Sequence, residues 1–96
     1  MGLFITFEGP DGCGKTSIIN LIKEYYKDNE KIIFTREPGG TEISEEIREL
    51  ILSNDNVNMS PRTEALLYAA SRAQHIDELV KPNLEKGSIV ISDRFV

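Results

Sequence analysis

The sequence predicts an α/β fold, because short apolar segments rich in β-branched residues alternate with longer segments of helical periodicity. A glycine-rich pattern between the first apolar segment and the first helical one supports the same class, because such loops connect a strand to a helix. No repeat or low-complexity linker divides the 96 residues. We therefore expect residues 1–96 to belong to a single domain built on a parallel sheet.

Three segments have the character of buried strands. Residues 3–7, 31–35 and 88–92 are dominated by Ile, Val and Phe. The first is followed by the turn sequence of residues 9–12, and the second by the break at residues 38–40.

Three segments have helical periodicity. The first follows the glycine-rich pattern, Thr41 can cap the second, and Ser60 followed by Pro61 can open the third. Pro82 is expected to end or kink the third segment, and Gly87 to close it. Each segment has apolar residues that recur at helical spacing. These apolar stripes are Ile18, Ile22, Tyr25 and Tyr26; then Ile43, Ile47, Leu50 and Ile51; then Leu66, Ala69, Ala70, Ala73 and Ile76.

Composition narrows the function classes. Eleven Lys and Arg against 16 Asp and Glu give a net charge of -5, which argues against a protein that coats nucleic acid. No apolar run approaches the length of a membrane span, so we expect no membrane partner. The single cysteine, Cys13, excludes an intrachain disulfide, and we expect a cytoplasmic protein.

The segment from Gly9 to Thr16 matches the phosphate-loop pattern G-x-x-x-x-G-K-[ST]. Glycines let backbone N–H groups surround a polyphosphate, and the following helix directs its positive end at that anion. Lys15 would reach the β- and γ-phosphates, and the Thr16 hydroxyl would bind Mg²⁺. A chance glycine-rich turn is the alternative, but the preceding strand and following helix favour nucleoside triphosphate binding. The residues expected to bind it are Gly9, Pro10, Asp11, Gly12, Cys13, Gly14, Lys15, Thr16 and Ser17.

Two further loops follow predicted strands, where parallel sheets bind ligands. Arg36 and Pro38 follow the second strand, and a simple strand-to-helix turn is the alternative for them. Asp93 and Arg94 follow the third strand. An acid there can hold Mg²⁺ through water and an arginine can clamp phosphate, but an ion pair within the turn explains the same residues.

Helical segments carry the remaining candidates. Tyr68 and Arg72 lie four residues apart and share a face away from the apolar stripe, where they can stack on a base and hydrogen-bond its carbonyl. A solvated helix face is the alternative. Arg48 follows Glu45 by three residues, and this spacing alone predicts that Arg48 belongs to a surface ion pair. His75 has no metal-ligand partner at useful spacing, so the pattern assigns it no role.

Taken together, four segments resemble the thymidylate kinase family. They are residues 7–16 (FEGPDGCGKT), 35–40 (TREPGG), 65–72 (ALLYAASR) and 92–95 (SDRF), in the family's order and spacing. The resemblance implies transfer of phosphate from ATP, with Mg²⁺, to dTMP.

The resemblance also implies a role for individual residues. Lys15, Asp93 and Arg94 would be catalytic, with Thr16 and Asp93 near the metal. The family implies a cis peptide bond between Glu37 and Pro38. The residues that would contact dTMP are Asp11, Arg36, Pro38, Arg48, Tyr68, Arg72 and Arg94.

Members of this family are longer than 96 residues, so the resemblance implies an incomplete P-loop NTPase fold, the three-layer form of nucleoside monophosphate kinases. Gly12 stands where one subgroup has arginine, so the catalytic cation would come from a lid beyond residue 96, and we expect this segment alone to be inactive. The family suggests a homodimer. A deoxynucleoside kinase and a non-catalytic ATP-binding fragment are the alternative functions.

Overall fold

The computed structural model of the chain describes residues 2–9 and 14–94. Within these residues, strands β1 (Leu3–Glu8), β2 (Ile32–Glu37) and β3 (Ile89–Arg94) form one parallel sheet in the order β1-β3-β2. The three predicted strands are confirmed, and each ends one or two residues later than predicted. The α/β class is also confirmed.

The last strand in the chain is the central strand of the described sheet. Val90, Ile91 and Ser92 of β3 are buried, because β1 and β2 cover both edges of this strand. The register places Glu8 and Glu37 beside Arg94 at the carboxyl end of the sheet. Charged residues from three strands therefore meet at the carboxyl ends of the strands, where parallel sheets bind ligands.

Within the described residues, the α-helices are α1 (Lys15–Tyr25), α2 (Glu42–Leu52), α3 (Pro61–His75) and α4 (Lys81–Glu85). The two predicted caps are confirmed, because the Thr41 side chain accepts a hydrogen bond from the Ser44 N–H and Ser60 accepts one from the Thr63 N–H. In this part of the chain no helix has the length and apolar character needed to cross a membrane.

Pro82 does not end the helical stretch. A π-helical turn (Ile76–Val80) joins α3 to α4, and Pro82 lies in the first turn of α4. Proline removes one backbone donor and crowds the preceding turn, and the wider π turn accommodates that crowding. Gly87 closes the stretch as predicted, with a positive φ of 84° just after the helix.

The helix predicted from the periodicity of the first segment is confirmed by α1, but the apolar residues of that periodicity are mostly exposed in this chain. Lys15 and Ile19 are the buried residues, whereas Ile18 is 50% exposed and Tyr25 is 79% exposed. The Lys15 side chain turns toward the end of β3, and this fixes which face of the helix points inward. Ile19 follows Lys15 by four residues and therefore shares its buried face.

The helices predicted for the second and third segments are confirmed by α2 and α3, whose apolar stripes are only partly buried in this chain. In α2, Ile47 and Ile51 are half-buried, but Ile43 and Leu50 are about half exposed and Ser44 is fully buried. In α3, Leu66, Ala69, Ala70 and Ala73 are exposed, whereas Ser71 and His75 are fully buried. Hydrogen bonds explain the difference, because the Ser44 hydroxyl donates to the Ser71 carbonyl at 2.8 Å where α2 and α3 meet. Small polar residues therefore form this contact in place of the apolar stripes.

Candidate functional site

Lys15 is buried where α1 begins, against the carboxyl end of β3. Its ammonium donates hydrogen bonds to the Gly9 carbonyl at 2.6 Å and to the Arg94 carbonyl at 3.3 Å. It also lies 2.7 Å from Oδ1 of Asp93. The side chain of Lys15 is 4% exposed and that of Asp93 is 38% exposed. A cation in this position neutralises an anion held at the start of α1, where the helix dipole also favours negative charge.

A cavity of about 420 Å³ lies beside this ion pair. Thr16 and Asp93 both line it, as does Arg36. The Thr16 hydroxyl and the Asp93 carboxylate supply oxygen atoms, the ligands that Mg²⁺ prefers, so the residues present fit that ion. In the described part of the chain, no group of three or more His, Cys, Asp or Glu residues forms an all-protein metal site.

At the carboxyl end of the sheet, Arg94 lies between two carboxylates. Its Nη1 atom donates to Oε1 of Glu8 at 2.6 Å, and Glu37 is its neighbour on the other strand. Burial acts to raise the pKa of Glu37, but His75, Arg72 and Arg94 together lower it below its ordinary value. Glu37 is therefore a buried carboxylate at 4% exposure that remains ionised.

A second cavity, of about 230 Å³, brings together four of the residues predicted to contact the acceptor. It is lined by Glu37, Pro38, Tyr68, Ala69, Arg72 and Arg94. Tyr68 and Arg72 lie on one face of α3 and are half-buried, and the exposed Ala69 lines the cavity beside them. The cavity therefore combines an aromatic ring with two guanidinium groups, a combination suited to a planar base and an anionic phosphate.

The loop after β2 is held by α2. Glu45 accepts hydrogen bonds from Nε of Arg36 at 3.0 Å, from Nη2 of Arg36, and from the Gly40 N–H at 2.8 Å. These donors, Arg36 first, lower the pKa of Glu45 from 4.5 to about 2 against the opposing effect of partial burial. The pairing of Glu45 with Arg48 read from the sequence pattern is wrong. Arg48 donates instead to the Pro38 carbonyl at 2.7 Å.

The same loop is also held by α3. The Gly39 N–H donates to the Ser71 hydroxyl at 3.0 Å. The peptide bond between Glu37 and Pro38 is cis, as the resemblance implied. Two of the seven residues predicted to contact dTMP lie apart from the second cavity: Arg36 lines the larger cavity, and Arg48 supports the backbone of Pro38.

Sequence reasoning gave no role to Glu37 or His75. His75 is fully buried, with Nε2 2.8 Å from the Thr35 hydroxyl and Nδ1 3.7 Å from Oε1 of Glu37. The available signal was spacing, because His75 follows Arg72 by three residues and Tyr68 by seven, on one helix face. The search for metal-ligand spacing does not detect this cluster, because its members are a carboxylate, an imidazole and a hydroxyl that meet only in the fold.

Several predicted residues lie outside the described part of the chain. They are Pro10, Asp11, Gly12 and Cys13 of the phosphate loop, with Phe95 of the last resembling segment. The assignments of Pro10, Asp11, Gly12 and Cys13 to ATP, and of Asp11 to the acceptor, remain predictions. Ser17 is described and lies exposed in the first turn of α1, where its binding role is equally a prediction.

Comparison with known families gives a match along most of the chain. The family model described as Thymidylate kinase matches residues 7–96. Two similar proteins are thymidylate kinases of Mesoplasma florum, 56% identical over 95 residues, and of Bacillus licheniformis, 57% identical over 96 residues. The alignments cover 98% and 99% of this chain but 45% of each relative. The chain thus spans about half the length of these curated relatives.

A solved structure shows the same relationship. The chain superposes on the crystal structure of thymidylate kinase from Ehrlichia chaffeensis with a TM-score of 0.85 at 39% sequence identity. The superposition covers 98% of this chain and 53% of the other. The fold is therefore that of a P-loop NTPase, present in part, which confirms the predicted fold class.

Proposed function

Because this chain belongs to the thymidylate kinase family, we propose that the protein transfers the γ-phosphate of ATP to dTMP and releases ADP and dTDP. The observation that carries the proposal is the second cavity. It is lined by Tyr68, Arg72 and Arg94, and Arg94 directly follows Asp93, the partner of Lys15, in β3.

On the ATP side, Lys15 neutralises the β- and γ-phosphates from its position at the start of α1. The ammonium is already directed at the Gly9 carbonyl and at Asp93, so little side-chain freedom is lost when phosphates arrive. Thr16 and Asp93 would hold Mg²⁺, which offsets negative charge on the phosphates when it is bound.

On the acceptor side, a phosphate monoester is already an anionic nucleophile and needs positive charge more than a general base. Arg94 supplies that charge at the carboxyl end of β3. Tyr68 would stack on the base, and Arg72 would donate hydrogen bonds to it. Catalysis by these residues consists of positioning and charge neutralisation, which dominate phosphoryl transfer.

The choice of acceptor tests the proposal. The full-length protein is supplied with ATP, Mg²⁺ and either dTMP or thymidine, and the phosphorylated products are separated by chromatography. We expect dTDP from dTMP and no dTMP from thymidine. Phosphorylation of thymidine alone would identify a deoxynucleoside kinase. ATP binding without transfer to either acceptor would identify a non-catalytic ATP-binding protein.

We further propose that the protein is a cytoplasmic homodimer. Support comes from the family resemblance and from the exposed apolar face of α3, where Leu66 is 65% exposed. Sedimentation of the full-length protein tests the oligomeric state. A monomer at concentrations well above those used for activity would contradict the dimer.

A further inference from the structure

A buried polar cluster forms part of the wall of the second cavity: Glu37 lines the cavity, and His75 lies next to Glu37. Glu37 and His75 have side chains 5% and 0% exposed, and neither is explained by packing against an apolar core. Oε2 of Glu37 lies 3.3 Å from Nε of Arg72, whose side chain is 42% exposed and lines the cavity. The buried Glu37 carboxylate therefore pairs with Arg72, the arginine that α3 contributes to this cavity.

The other side of Glu37 faces His75. Nδ1 of His75 lies 3.7 Å from Oε1 of Glu37, while Nε2 lies 2.8 Å from the Thr35 hydroxyl. Nδ1 and Oε1 are too far apart for a hydrogen bond, and within the described residues neither atom has another hydrogen-bond partner. A neutral imidazole with its proton on Nδ1 directs that N–H at Glu37, while Nε2 accepts from the threonine hydroxyl. The N–H dipole of His75 therefore faces the Glu37 carboxylate across 3.7 Å.

The chain makes room for this arrangement at Gly40. A Cβ atom there would lie 2.6 Å from the Thr35 hydroxyl and 2.7 Å from Nε2 of His75. The backbone φ of Gly40 is 102°, a conformation that other residues rarely adopt. The close approach of the loop to the imidazole therefore depends on the absence of a side chain at this position.

We propose that Glu37 and His75 are positioning residues that fix the guanidinium of Arg72 for recognition of the acceptor's base. The inference rests on the proposed function, whose acceptor is dTMP. Because the ion pair with Glu37 is formed at Nε, the two terminal NH₂ groups of Arg72 remain as donors for a base. A guanidinium has donors and no acceptor, so it binds a base with a carbonyl at position 4 and rejects one with an amino group there.

The kinetic test compares dTMP with dCMP in the full-length protein. Glu37→Gln should raise KM for dTMP by about tenfold or more, since a charge-assisted contact is lost, and should reduce the preference for dTMP over dCMP by a similar factor. KM for ATP should change by less than about twofold. Combined with Arg72→Ala, Glu37→Gln should add no further loss, because it acts through Arg72. Glu46→Gln, on the exposed face of α2, is the matched control.

Histidine variants test the same relationship without changing the carboxylate. In His75→Asn the side-chain amide can replace Nδ1 as a donor to Glu37, whereas in His75→Gln the amide reaches the position of Nε2 instead. We expect the asparagine variant to retain more of the preference for dTMP over dCMP than the glutamine variant. Equal loss of ATP and dTMP use in Glu37→Gln, His75→Asn and His75→Gln would indicate a purely structural cluster and overturn the proposal.

A spectroscopic measurement separates this inference from the proposed function. The Nε–H signal of Arg72 in a ¹⁵N spectrum can be assigned by its loss in Arg72→Ala. We expect it to be protected from exchange in the wild type and to shift or broaden in Glu37→Gln and in His75→Gln. An unchanged signal would refute the positioning role even if dTMP is the acceptor. A shifted signal would support that role even if dTMP proved not to be a substrate.

Discussion

The ammonium of Lys15 lies 2.7 Å from Oδ1 of Asp93, and the two residues come from opposite ends of the described chain. The contact forms because β3, the last strand, pairs with β1 and ends beside the start of α1. Lys15 is almost fully buried, so its charge depends on Asp93 and on two backbone carbonyls for compensation.

We predict that Asp93→Asn destabilises the nucleotide-free protein. The variant leaves a buried ammonium without its carboxylate, and partial exposure of Asp93 limits the expected loss to about 1–2 kcal/mol. Asp77→Asn is the matched control, because Asp77 pairs with Lys81 on the surface at 3.9 Å and should contribute less than about 0.5 kcal/mol. Urea unfolding of both variants measures the difference. Equal effects would show that the buried pair does not stabilise the fold.

Arg72→Ala should impair use of dTMP far more than binding of ATP. Arg72 lines the second cavity with Tyr68, and Lys15 is not part of that lining. We therefore expect KM for dTMP to rise about 10- to 100-fold. Calorimetry with ATP and magnesium should give nearly the wild-type affinity. Arg62→Ala, at the exposed start of α3, controls for loss of charge on the same helix. An unchanged KM for dTMP would remove Arg72 from the acceptor site.

Gly40→Ala should be more destabilising than Gly87→Ala. Both glycines have positive φ. A Cβ atom at Gly40 would contact Thr35 and His75, whereas a Cβ atom at Gly87 would have no other atom within 4 Å. We expect a loss of about 2–4 kcal/mol for Gly40→Ala, from overpacking added to backbone strain, and about 1 kcal/mol for Gly87→Ala. Chemical denaturation of the two variants tests the order. Equal losses would mean that the loop can move away from His75 at little cost.

The Arg36–Glu45 ion pair should make stability depend on pH in the acid range. The pKa of Glu45 falls from 4.5 to about 2 on folding, so its contribution is complete above pH 4.5 and is lost as pH falls toward 2. Both side chains are partly exposed, which limits the contribution to about 1 kcal/mol. Unfolding measured across this pH range should show Glu45→Gln and the wild type converging at the acid end.

The control for this experiment is Glu46→Gln, which lies on the exposed side of α2. It should stay within about 0.5 kcal/mol of the wild type throughout. A Glu45→Gln variant whose difference from the wild type is the same at neutral pH and at the acid end would contradict the assignment.

Local sequence signals predicted the strands and the caps because those features depend on neighbouring residues. Thr41 and Ser60 cap their helices with their own hydroxyls, and the central strand begins with Ile, Val and Ile, which favour a buried sheet. The phosphate-loop pattern likewise located Lys15 correctly at the start of α1.

The inward faces of the helices could not be predicted in the same way. The periodicity of α3 favours Leu66 and the alanines as its buried face, yet Ser71 and His75 are buried because they hydrogen-bond to Gly39 and Thr35. These partners are more than 30 residues away in the chain, so no local pattern reveals them. Glu37 was missed for the same reason, since its contacts with Arg72 and His75 exist only after α3 packs near β2.

Transfer of radiolabelled γ-phosphate from ATP tests the central claim most directly. The full-length protein and its Lys15→Ala variant are incubated with labelled ATP, magnesium and dTMP. The account predicts label in dTDP for the wild type and a rate at least about 100-fold lower for Lys15→Ala, because the variant cannot neutralise the transferring phosphate. Label found only in inorganic phosphate, or equal transfer by the two proteins, would contradict it.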